Sequence, residues 1–113
     1  MEINVRVEGD DAIQNAEVLK KFLDSRPMEG ISGVEMSRTA HGEGEQGLGS
    51  FLGGLVVKLT GSDTVITEFI KLLEKFVEMY NRPIKFPNGV EIPTRGLTPE
   101  QRLQIIQELK KQS

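Results

Sequence analysis

The chain has no cysteine and no tryptophan, and only one histidine and one tyrosine in 113 residues. Without cysteine, disulfides, thiolate zinc sites and cysteine nucleophiles are excluded. Long apolar runs are also missing: no stretch reaches the roughly 20 residues that a membrane span needs. The opening Met-Glu-Ile-Asn-Val-Arg-Val has no apolar signal region, so the cytoplasm is the expected compartment. Positive charge is slightly outnumbered, 14 Lys and Arg against 17 Asp and Glu. The net charge of −3 argues against general nucleic-acid binding, which needs a basic surface to meet phosphates. With few aromatics, the core must rest on leucine, isoleucine and valine.

What is present reads as one small α+β domain over residues 1–113. Ile3, Val5 and Val7 alternate with polar residues, the period of a half-buried strand. Asp10 and Asp11 can cap a helix with the apolar stripe Ile13, Ala16, Leu19 and Leu23, Phe22 lying beside it, and Pro27 stops it. After a turn at Gly30–Gly33, Val34 and Met36 alternate again in a second strand that reaches about Thr39. Residues 40–47 are glycine-rich and acidic, with nothing to bury, and read as a mobile loop. Leu48, Phe51, Leu52, Leu55, Val56 and Leu59 then recur at helical spacing, so a helix is expected, weakened by about 1 kcal/mol at each of Gly49, Gly53 and Gly54.

Gly61 ends that segment, and Ser62 or Asp63 caps a long helix with Ile66, Phe69, Ile70, Leu73, Phe76 and Val77 on one face. Ile84 and Phe86, then Val90 and Ile92, flank Pro87-Asn88-Gly89 as a hairpin. Thr98-Pro99-Glu100-Gln101 is a capping box before a last helix, expected to bury Leu103, Ile106 and Leu109 and partly cover Ile105. The expected order is β-α-β-α-α-β-β-α: a single four-stranded sheet with helices packed mainly on one face.

Candidate chemistry is thin. Gly42-x-Gly44-x-x-Gly47 spells a dinucleotide fingerprint, and Asp63 follows about 20 residues on, where a ribose acid belongs. Glu43 and Glu45 would repel a pyrophosphate, however, and two helices follow where a β-α-β unit is required. His41, Glu43 and Glu45 lack the closed geometry of a zinc site. His41 is also the one possible imidazole base, and its nearest serines, Ser37 and Ser50, sit in no nucleophile elbow. No catalytic residue, cofactor or metal site is therefore expected.

The apolar run is the best functional candidate. Its expected partner-binding residues are Leu48, Gly49, Phe51, Leu52, Gly53 and Val56, because Gly49 and Gly53 fall on one helical face where another backbone can approach closely. Two other readings stay open: membrane perturbation by the Gly-rich segment 47–59, and a general small interaction domain. Lys58 interrupts the segment's end, against the membrane reading. Pro83, Pro87 and Pro93 would blunt an edge of the hairpin, so a monomer or weak dimer is expected for the chain alone.

The run Gly47 to Glu78, with Gly49, Leu52, Leu55, Val57, Leu59, Gly61, Ser62 and Ile66 carrying the match, resembles the effector-associated constant components of bacterial conflict systems, including antiviral defence. The acidic turn after the first strand, the hairpin and the short last helix follow in the same order. The resemblance implies a non-enzymatic adaptor acting through protein contacts. Its expected partners are a caspase-like or trypsin-like protease or a signalling NTPase encoded nearby. It implies no catalytic residue.

Overall fold

A computed structural model describes residues 1–9, 11–36, 54–87 and 89–112. Among these described residues, five strands and three helices follow in the order β1 (Glu2–Val7), α1 (Ala12–Asp24), β2 (Ile31–Met36), β3 (Leu55–Leu59), α2 (Asp63–Tyr80), β4 (Ile84–Lys85), β5 (Glu91–Ile92) and α3 (Pro99–Gln112). The strands form one open antiparallel sheet in the order β2-β3-β1-β4-β5. Since β1 and β2 both run antiparallel to β3, they point the same way with β3 between them. The first six elements thus have the connectivity of the split β-α-β, or ferredoxin-like, arrangement. The hairpin's outer strand and α3 are added to it.

Two expectations are corrected here. The sheet has five strands, and the fifth is β3, part of the run expected to be helical. Leu55, Val57 and Leu59 are buried and alternate with the half-buried Val56 and Lys58, which is strand period. Both periods can be traced through these residues. The extended one prevails because Val56-Val57 is β-branched and because β1 and β2 each offer a pairing partner: Val57 lies opposite Ile3 on one side and Val34 on the other. The part of the expected helix at 48–53 lies outside the described residues, as do the loop at 40–47 and the stretch of the second strand beyond Met36.

The inward rows Ile3, Val5 and Val7 from β1, Leu55, Val57 and Leu59 from β3, and Ile84 and Ile92 from the hairpin share one core with all three helices. Helices therefore cover one sheet face. From α2 come Ile66, Phe69, Ile70, Leu73, Phe76 and Val77, the six expected from its stripe. Ala16, Leu19, Phe22 and Leu23 of α1 are buried as expected, and one residue of the expected stripe departs from it in each of α1 and α3. Ile13 is 51% exposed and Leu103 56%, whereas Ile105 is 4% exposed. Ile105, Ile106 and Leu109 are the residues α3 buries.

The helix ends follow the expected chemistry. Ser62 Oγ accepts from Val65 N at 3.2 Å, and Asp11 Oδ1 accepts from Gln14 N at 3.1 Å. The Thr98–Gln101 box is reciprocal: Gln101 N donates to Thr98 Oγ1 at 3.1 Å, and Thr98 N donates to Gln101 Oε1 at 3.0 Å. The bidentate pair Arg102–Glu74, at 2.7 and 3.1 Å, ties α3 to α2. The hydrogen bond it donates to Glu74 holds the Arg102 pKa above its usual value, against the lowering effect of burial. Lys110 Nζ reaches Asp63 Oδ1 at 2.6 Å near the other end of the helix pair.

Candidate functional site

β3 decides what the expected partner-binding segment can do. Its inward residues belong to the core, and Val56 projects with Lys58 onto the sheet face that no described helix covers. Val56 lies opposite Asn4 of β1 and Glu35 of β2, and Lys58 lies opposite Glu2 and Gly33. The face around this valine is a field of balanced charge. Lys58 Nζ stands 3.8 Å from Glu35 Oε2, and Glu8 receives both Arg6 at 3.5 Å and Lys85 at 3.3 Å. Such exposed pairs contribute at most about 1 kcal/mol each, but they leave the face polar and charge-matched. Of the six expected partner-binding residues, Val56 is the one the structure places. Leu48, Gly49, Phe51, Leu52 and Gly53 lie outside the described residues.

Topology nevertheless locates the two ends of that stretch. Met36, the last residue of β2, is the register partner of Leu55, the first of β3. The chain therefore leaves the sheet and re-enters it at adjacent points on neighbouring strands. The whole Gly-rich, acidic-then-apolar sequence from Ser37 to Gly54 spans a gap that two residues can close between antiparallel strands.

His41, Glu43 and Glu45 also lie outside the described residues. Among the described residues, no group of three or more histidine, aspartate and glutamate side chains could hold a metal ion. No described helix is long and apolar enough to cross a membrane. The second half of segment 47–59 is committed to the sheet, and Leu55, Val57 and Leu59 present no apolar face outward.

The chain matches no family model, no curated protein and no solved structure.

Two further surface features were not apparent from the sequence. One is an aromatic corner where α1 and α2 end. Phe22 meets Phe76 edge-on at 5.3 Å and Tyr80 at 6.4 Å, and the Arg26 guanidinium lies 4.1 Å from the Phe22 ring centre. Met79, 52% exposed, borders it, its sulfur 3.9 Å from Arg26 Nη2. The i, i+4 spacing of Phe22 and Arg26 was a usable signal, but the approach of α2 was not. The other is a groove of about 510 Å³ between β5 and α3, bordered by Val90, Glu91, Arg95, Gln104, Ile105 and Glu108. Nothing in the sequence pattern brings these residues together, because the groove arises from how α3 sits beside the sheet's last strand.

Proposed function

We propose that the chain is a non-enzymatic adaptor of a bacterial conflict or signalling system, working in the cytoplasm through protein contacts. The observation that carries this reading is the pairing of Met36 with Leu55 around residues 37–54. Adjacent antiparallel strands are commonly joined by about two to five residues, so a much longer connection is not a requirement of closure and is available for contacts. This one holds Leu48, Gly49, Phe51, Leu52 and Gly53, and it joins the sheet beside Val56, the sixth expected contact residue. The resemblance of the run Gly47 to Glu78 to effector-associated constant components supports the same reading and supplies the partner class: a caspase-like or trypsin-like protease or a signalling NTPase encoded nearby. In this reading the scaffold presents the segment and the partner supplies the chemistry. The chain alone is a monomer or weak dimer.

The test is co-expression of the full chain with the protease or NTPase encoded beside its gene, followed by affinity purification and size-exclusion chromatography. The reading predicts a stoichiometric complex. A chain that elutes alone beside each such neighbour, or a gene with no such neighbour, contradicts it.

A further inference from the structure

The open sheet face and the aromatic corner each account for their own polar and apolar groups. Glu8 pairs with Arg6 and Lys85, and Glu35 with Lys58, across the first, and Arg26 lies over the second. The groove between β5 and α3 is different, because it leaves the Arg95 and Gln104 side chains without a described partner, although its Glu108 meets Lys111 at 3.4 Å. β5 is the last strand of the sheet, and no described strand pairs with its outer edge. In an antiparallel ladder, successive residues turn their backbone groups to alternate sides. Phe86 N donates to Val90 O at 2.8 Å, and Ile92 lies opposite Ile84, so Val90 and Ile92 turn toward β4. Glu91, between them, turns its N–H and C=O outward along the groove.

The opposite wall is α3. Gln104 lines it with an amide that both donates and accepts, and Ile105 gives it an apolar floor. The chain reverses between Pro93 and Thr98, where Gly96 N donates to Pro93 O at 3.0 Å. This reversal closes one end of the groove, and Arg95 stands there, exposed and in no ion pair with a described residue. Glu108 lines the groove about one turn of α3 beyond Gln104. One end is thus cationic and the other, where Glu91 and Glu108 outnumber Lys111, net anionic. From Gln101 to Glu108 the helix advances roughly 10 Å, the length of about three extended residues.

We infer that this groove takes the free C-terminal end of an extended peptide. Its carboxylate would meet Arg95, its backbone would pair with the outward groups of Glu91, and a basic side chain would point toward Glu91 and Glu108. An added strand gains affinity from main-chain hydrogen bonds and specificity from side-chain pockets, and a guanidinium recognises a terminal carboxylate through paired N–H donors. Pro93 lacks an N–H, so the strand edge offers one outward donor–acceptor pair at Glu91, and the Gln104 amide adds to it. The inference rests on the reading of the chain as a protein-contact component, but it concerns a surface separate from residues 37–54.

The test pans the full chain against a displayed library of random heptapeptides with free C-termini. The most enriched peptide is then synthesised as acid and as amide, and its binding is measured by fluorescence anisotropy. Enrichment of β-prone C-termini preceded by lysine or arginine is expected, with the amide binding about tenfold more weakly because it lacks the charge that meets Arg95. Arg95→Glu should lose binding of the acid to a similar degree, and Gln104→Trp should fill the groove and abolish it. Both positions are exposed, so the variants should keep the parent's circular dichroism and melting temperature. No enrichment, equal binding of acid and amide, or unchanged binding by the two folded variants would overturn the inference. Any of those results alongside an intact complex with the neighbouring gene product removes the groove alone. Loss of that complex with peptide binding intact removes the adaptor reading instead.

Discussion

Gly30 and Gly96 both have positive φ, 97° and 87°, a region in which side chains are strained. Their surroundings differ. A Cβ at Gly30 would lie 2.7 and 2.8 Å from the two γ-carbons of Val65, whereas a Cβ at Gly96 would meet nothing within 4 Å. Gly96→Ala is therefore expected to cost about 1–3 kcal/mol from backbone strain alone. Gly30→Ala should cost more, because the overlap with Val65 adds a packing penalty of about 1–3 kcal/mol. Urea unfolding with an unchanged m-value gives the comparison directly. Equal losses would mean that β2's entry does not press on α2. The sequence placed a turn at Gly30–Gly33, of which Gly30 turns and residues 31–33 already belong to β2. It could not reveal Val65 as the neighbour, since that contact joins residues from separate elements. The Thr98–Gln101 box, a contact between near neighbours in the chain, was legible in full.

Among the elements, the readable ones had a single period and a clear stop. β1, α2 and the β4–β5 hairpin fall where alternation, capping and turn residues put them. β3 did not, because Leu52, Leu55, Val56 and Leu59 fit a helical stripe while Leu55, Val57 and Leu59 fit a strand. A five-residue strand offers too short a window for period alone to decide, and the partners that decide it come from β1 and β2. α3 shows a subtler error: the helix was legible but its rotation was not, since Leu103 and Ile105 are equally apolar. Mutation separates the two phases. Ile105→Ala should destabilise by about 2–5 kcal/mol, since it empties a packed site. Leu103→Ala should stay within about 0.5 kcal/mol, as for other exposed positions. Thermal or urea unfolding of the two variants gives the comparison, and the reverse ranking would put Leu103 in the core as the sequence pattern suggested.

For the whole molecule, the fold class was readable because every inward row is aliphatic and every helix has one apolar face. Sheet order was not, because sequence alternation is silent on which strands are neighbours. β3 between β1 and β2 is what makes the connectivity a split β-α-β unit and brings Met36 beside Leu55. A fold of this kind does not specify function, so the adaptor reading depends on what is mounted on it. The segment proposed for that role was singled out by composition, and topology adds that the sheet does not need it for closure. The most direct test replaces residues 38–53 with a two-residue Asn-Gly turn and repeats the co-purification with the neighbouring protease or NTPase. The account predicts that the shortened chain keeps the parent's circular dichroism and cooperative unfolding while the complex disappears. A folded, shortened chain that still forms the complex at the parent's stoichiometry would contradict it.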